Sequence, residues 1–225
     1  MINQDYFINL AKEKTGDAIQ TVAVAAPHDL ATLESLRNAV DLGFAKAILV
    51  GDENIITDVA KEGNLDISDM ELVHAEDLAD AAQKSVDQVT AGKASLIMKG
   101  LIDTSVILKA VVKKENNLRT GNTLSYVGIL FNENKEKYYL TSDGAMLIAP
   151  DVDQKKGIIE NVVDVAHALG NELPKVAMIC AKEKYYEKMP ATVDEVALQR
   201  MNHEGEIKGC IVSGPLQMDN AVDLH

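Results

Sequence analysis

Two nearly unbroken apolar runs, Thr21–Ala26 (TVAVAA) and Ala45–Val50 (AKAILV), constrain this chain more than any other feature. A strand with apolar residues on both sides has no face to offer water, so it must lie in a sheet covered above and below. The segment between the runs, Asp29 to Leu42, sets Leu30, Leu33, Leu36 and Val40 on one helical face and stops at Gly43. Strand, helix, strand in this order predicts a parallel sheet with helical crossovers. Further helical patterns cover Glu53–Lys61 and Ala75–Val89, the latter closed by Gly92, and another strand covers Ala94–Met98.

The rhythm changes after Arg119-Thr120-Gly121. Leu124–Phe131 and Tyr138–Thr141 read as two strands joined by the polar turn NENKEK, hence antiparallel. A helix over Asp151–Leu169 is bounded by Pro150 and Gly170. Strand Lys175–Cys180, helix Thr192–Asn202 and strand Ile207–Val212 follow, with Thr192 and Glu195 spaced as a capping box. The chain therefore reads as α/β with two lobes, residues 1–121 and 122–225, each a mostly parallel sheet with helices on both faces. Gly214 to Asp219 reads as an open loop six residues before the end, so a C-terminal part is expected to be missing.

Within the first lobe, LIMKGLIDTSVILKA (Leu96–Ala110) delivers Lys99 and Gly100 from a strand to a turn. Asp103, Thr104 and Ser105 then cap a helix-like run that carries Lys109 about one turn further on. Free N–H groups and the dipole at such a helix start favour an anion, and the two lysines add charge, so the pattern suits a phosphate. Arg119 is a candidate for bidentate phosphate contact. Asp143 and Asp219 end strand-like runs and are candidates for orienting donors. Met146, Leu147 and Ile148 are candidates for lining an apolar pocket, with ordinary core packing as the other reading. No acidic cluster has familiar metal-ligand spacing, so no metal is expected. His28, His74, His167 and His203 are scattered and carry no catalytic assignment.

A formal net charge of −13 argues against nucleic acid or an anionic membrane as partner, and Trp is absent. The N-terminus lacks a signal-peptide core, no apolar run nears the roughly 20 residues of a membrane span, and Cys180 and Cys210 read as buried, reduced thiols that each end a strand. A cytoplasmic location is the expectation.

Six ordered stretches resemble the phosphate acetyl/butyryltransferase family, on its butyryl side: AILVGD (Ala47–Asp52), MKGLIDTS (Met98–Ser105), LRTG (Leu118–Gly121), PKVAMICA (Pro174–Ala181), KMPAT (Lys188–Thr192) and IKGCIVSGPLQMDNAV (Ile207–Val222). The resemblance implies an isocitrate/isopropylmalate-dehydrogenase-like fold with the site in a cleft between lobes. It implies the reaction acyl-CoA + phosphate = acyl phosphate + CoA, with CoA a substrate and no cofactor, in a homo-oligomer. By the same resemblance Thr104 and Ser105 contact phosphate, and Lys109 matches a basic position that contacts substrate. Lys99 joins Lys109 as a candidate catalytic cation. Gly100, Asp103, Asp143 and Asp219 are further substrate-binding candidates, and Arg119 is one too, with an interlobe salt bridge as its other reading. The family continues beyond the end of this chain into a Ser-Arg-containing segment proposed to bind and deprotonate the CoA thiol. A non-catalytic acyl-CoA or acyl-phosphate binding module, or an inactive truncated form, is the alternative. The chain departs from the family at Leu147, where Asn is usual, and at Tyr126, where His is common.

Overall fold

The computed structural model describes residues 3–16, 18–132 and 136–222. Contacts divide the chain into two compact units, Ala11–Thr120 and Met1–Leu10 with Gly121–His225. The helix α1, Gln4–Thr15, runs from one into the other. Phe7 on α1 packs edge-on against Tyr138, ring centroids 5.6 Å apart, and lies 5.9 Å from Phe131. That aromatic contact groups the first ten residues with the later unit, whereas the sequence places residues 1–121 together.

In the unit Ala11–Thr120, strands β1 (Gln20–Ala25), β2 (Ala45–Gly51), β3 (Glu71–His74) and β4 (Leu96–Lys99) form a parallel sheet in the order β3-β2-β1-β4. Between and after them come α2 (Leu30–Asp41), α3 (Glu53–Glu62), α4 (Leu78–Thr90), α5 (Thr104–Val111) and a 3-10 turn at Lys114–Asn116. Strand alternation sorts the core into two layers. Ala23, Ala25, Ile48 and Val50 face Ala81, Ala82 and Val86 of α4 and Ile107 and Ala110 of α5. Val24, Ala47 and Leu49 face Leu33 and Leu36 of α2 and Ile56 and Ala60 of α3. Leu33, Leu49 and Ile56 are wholly buried, and each stabilises the fold by about 1.5–3 kcal/mol relative to exposure.

The sequence reading lacks β3 and starts the next helix at Ala75. Of β3 only Val73 is even partly buried; an edge strand with three exposed residues of four carries no apolar run to betray it. The helix begins after Asp77, whose carboxylate accepts the Asp80 N–H.

In the other unit, β5 (Gly128–Asn132) and β6 (Lys137–Thr141) form an antiparallel hairpin; part of the NENKEK turn lies outside the described residues. Helix α6 (Val152–Ala168) starts from a capping box in which Asp151 and Gln154 exchange bonds. Strands β7 (Lys175–Ile179) and β8 (Ile211–Leu216) pair in parallel and pack with α7 (Pro190–His203) and α6 around Ile159, Val163, Leu198, Ile207 and Val212.

Three sequence expectations are corrected here. The last strand starts at Ile211, not Ile207, because residues 207–210 wind around Asn202, whose amide donates to the Ile207 and Cys210 carbonyls at 3.0 Å each and accepts the Val212 N–H at 3.0 Å. Cys210 therefore precedes a strand rather than ending one. Helix α7 starts at Pro190, so Thr192 and Glu195 lie inside it and form no capping box. Finally, Gly214–Asp219 is no open loop: β8 continues to Leu216, and a short helix α8 spans Met218–Val222.

Candidate active site

The four-stranded sheet changes direction between β1 and β4: β2 and β3 extend it one way and β4 joins on the other side. In open α/β sheets such a switch point leaves a crevice beyond the strand carboxyl ends, where ligands bind. Here it is flanked by Ala26-Pro27-His28 after β1 and by Lys99 to Asp103 after β4. The two loops are stitched together, Gly100 N–H to Ala25 O and Leu101 N–H to Ala26 O, both at 2.8 Å. Gly100 is required by this approach, because a Cβ there would overlap the Ala26 carbonyl oxygen and lie 2.8 Å from its carbon.

Lys99 does not stand alone at the strand end. Its ammonium donates to the Ile102 carbonyl at 3.0 Å and approaches the Gly100 carbonyl at 3.4 Å, closing the loop on itself. The following helix start is unusual for this chain. Asp29, Asp52, Asp77 and Asp151 each cap their helices through the side chain. Asp103 occupies the same position on α5 and makes no side-chain cap bond. The first intrahelical bonds are those of Val106 and Ile107 to the Asp103 carbonyl, at 3.0 and 3.3 Å. The N–H groups of Thr104 and Ser105 thus have no acceptor among the described residues, and both side chains are exposed. The sequence has Asp103, Thr104 and Ser105 capping together; instead Thr104 and Ser105 form the first turn. Lys109 is exposed in the last turn of α5, four residues beyond Ser105 and so on its face.

His28 reaches this edge without any sequence assignment. Its ring lies over Gly51, where a Cβ would sit 3.3 Å from the ring Cδ2, and Nε2 accepts the Asp52 N–H at 3.1 Å. Burial lowers the pKa of the ring against the raising influence of Asp52 and Asp29. The signal in sequence was a glycine closing β2, legible only once β1 and β2 are known to be neighbours.

The remaining candidates are dispersed. Arg119 is exposed beyond the 3-10 turn, and no described bond ties it to the Lys99–Lys109 segment. Asp143 and Asp219 belong to the other unit. Burial opposes ionisation of Asp143, but N–H groups of Ala145, Met146, Leu147 and Tyr126, at 2.8–3.2 Å, outweigh it and hold the carboxyl below the usual range. Asp143 therefore organises its own loop. Within that loop Met146 and Leu147 are partly buried and Ile148 is wholly exposed. Asp219 is exposed in the first turn of α8. Cys180 and Cys210 are free, half-buried and buried, and burial pushes both thiols up, so neither is an activated nucleophile. Among the described residues no three His, Cys, Asp or Glu side chains converge as a metal set, and no helix is long and apolar enough to cross a membrane.

A parallel α/β sheet whose switch-point loop leads into an uncapped, hydroxyl-bearing helix start defines an α/β protein with a candidate anion site. Comparison with known proteins narrows the class. Residues 74–225 match the family described as phosphate acetyl/butaryl transferase. A phosphate butyryltransferase of Clostridium acetobutylicum is 43% identical over 204 residues, 91% of this chain and 68% of that protein. The crystal structure of a branched-chain phosphotransacylase from Enterococcus faecalis superposes with a TM-score of 0.69 at 27% identity, covering 89% of this chain and 70% of that one. A phosphotransacetylase from Streptococcus pyogenes shares the fold, with a TM-score of 0.80 at 17% identity over 97% of this chain and 74% of its own. The chain belongs to the phosphate acetyl/butaryl transferase family.

Proposed function

We propose that this protein moves a short acyl group, butyryl or branched, between CoA and inorganic phosphate: acyl-CoA + phosphate = acyl phosphate + CoA. Family membership and the names of its relatives support the reaction. The observation that carries the site is the uncapped start of α5 at the switch point. In one direction the phosphate oxygen attacks the thioester carbonyl and CoA thiolate leaves; in the other the thiolate attacks the acyl phosphate and phosphate leaves. No covalent enzyme intermediate is needed, so the work of the protein is alignment of two anions and stabilisation of the oxyanion that forms. Thr104 and Ser105 hold phosphate through N–H and hydroxyl, Gly100 lets the backbone approach, and Lys99 keeps the loop closed while adding charge. Lys109 and Arg119 supply further cations, and Asp103 stays unfolded from the cap so that the donors remain available. In this reading the two units are the lobes of an isocitrate/isopropylmalate-dehydrogenase-like fold, Asp143 and Asp219 orient loops around the substrates, and the protein works as a cytoplasmic homo-oligomer with no cofactor.

The test is the double substitution Thr104→Ala with Ser105→Ala, assayed by CoA release from butyryl-CoA and phosphate. Loss of hydrogen bonds to a charged group, about 1.5–3 kcal/mol each, predicts a phosphate KM raised by about tenfold or more. An unaltered KM and rate would remove the phosphate from this loop.

A further inference from the structure

The two loops that meet at the switch point lean on a single carbonyl. Ala26 O accepts the Leu101 N–H of the β4–α5 loop and the His28 N–H of its own loop, each at 2.8 Å, which occupies both lone pairs of the oxygen. Ala26 is wholly buried and sits at φ +53°, a conformation uncommon for a residue with a side chain. Its own N–H is bonded to Val50 O at 2.8 Å. A backbone in that conformation persists only where its surroundings hold it in place.

His28 supplies the hold on the far side. Its ring crosses to the loop after β2, where Nε2 accepts the Asp52 N–H at 3.1 Å. The same ring explains Gly51, since a Cβ there would come within 2.5 Å of Nε2. Asp52 in turn caps α3, its carboxylate accepting the Asn54 and Ile55 N–H groups. One imidazole thus joins the loops after β1 and β2 and, through Ala26, the loop after β4. All of these residues belong to the unit Ala11–Thr120.

Nε2 accepts a hydrogen bond only while it carries no proton; protonation sets N–H against N–H and the bond must break. The Asp29 and Asp52 carboxylates, at the starts of α2 and α3, favour the charged ring. Burial opposes it and prevails, so the ring titrates below the ordinary histidine range. His74, ending β3, acts on Asp52, and Lys99, ending β4, is turned to the Gly100 and Ile102 carbonyls.

We infer that His28 is a positioning residue for the phosphate loop: the neutral imidazole fixes the Ala26 carbonyl on which the β4–α5 loop rests, and its protonation releases that loop. The inference rests on the reading of Thr104 and Ser105 as phosphate donors. His28 acts through Ala26 and Leu101 rather than on the substrate.

The test compares His28→Ala, which removes the acceptor, with His28→Gln, whose Oε1 can stand where Nε2 stands and does not titrate. Affinity for inorganic phosphate by titration calorimetry, and phosphate KM and kcat in CoA release from butyryl-CoA, are measured between pH 5 and 8. The ratio of parent to His28→Gln at each pH cancels the titration of phosphate itself. At pH 7.5 His28→Ala should weaken phosphate binding and raise its KM by about fivefold, the loss of one hydrogen bond, with kcat much less changed. His28→Gln should stay near the parent there. Towards pH 5 the parent should lose phosphate affinity relative to His28→Gln by about threefold or more. A ratio that is flat with pH, or a Gln variant as weak or as unstable as the Ala variant, would overturn the inference. So would a loss confined to kcat, which would assign the ring to the chemistry. If His28→Ala does not fold, the parent-to-Gln ratio still decides. The pH-dependent ratio in a chain that binds phosphate without transacylation would keep the role of His28 and retire the reaction. Transacylation with a flat ratio, and phosphate affinity lost in the Thr104→Ala, Ser105→Ala double variant, would keep the phosphate loop and overturn the role of His28. Phosphate affinity intact in that double variant would retire both.

Discussion

Glu195 shows at the scale of one residue how burial sets chemistry. It is 4% exposed on α7, and its Oε2 has no hydrogen-bond partner among the described residues. Burial pushes its pKa up, against the lowering influence of the Cys180 thiol and of Lys155, which is itself paired with Asp194 at 2.6 Å. The folded state therefore holds the proton more tightly than the unfolded chain does. Its contribution to stability is complete below the ordinary glutamate pKa and is lost as pH rises through the shifted one. Glu195→Gln, neutral at every pH, should lack this dependence. Urea midpoints between pH 4 and 8 should show the parent losing stability relative to the variant as pH rises; parallel curves would mean that folding does not raise the pKa of this carboxyl. Sequence spacing offered only a capping-box reading for this residue, because its burial depends on how α7 packs against β8 and α6.

Between elements, the decisive contact is the approach of the β4–α5 loop to the end of β1. A methyl at position 100 has only backbone to push against, the Ala26 carbonyl and Pro27 Cα at 2.9 Å. Overpacking of this kind costs about 1–3 kcal/mol, so Gly100→Ala should lower the unfolding free energy by about that amount and raise the phosphate KM. Gly144→Ala, where a Cβ meets nothing within 4 Å, is the control expected to be nearly neutral. Equal urea midpoints for the two would show that the loops separate freely. Strands β1 and β2 were legible because burial on both faces demands unbroken apolar runs. Edge strand β3 was not, and the false strand start at Ile207 arose because an apolar residue can be buried as well by a loop wound on Asn202.

For the whole molecule, one of the two boundaries between the compact units falls at Thr120–Gly121, just after exposed Arg119 and the exposed Lys113 and Lys114 that open the 3-10 turn. Boundaries of this kind are preferred sites of proteolytic nicking. Brief trypsin treatment should cut first within residues 113–119, giving two large fragments by mass spectrometry. First cuts inside α2, α4 or α6 would contradict the division.

By itself the sequence determined the parallel α/β class, the change of rhythm near residue 121 and the ordered motifs that mark the family, because all three are written in local runs of residue type. It also marked Lys99 to Lys109 as a segment suited to an anion. Only the tertiary structure decided which donors in that segment are left without partners, that Lys99 turns back on its own loop, that Gly100 is required by the Ala26 carbonyl, and that Thr192 supports a loop and Glu195 is buried inside α7 rather than the two capping a helix. Those outcomes depend on which strands become neighbours, and hence on contacts between residues far apart in the chain.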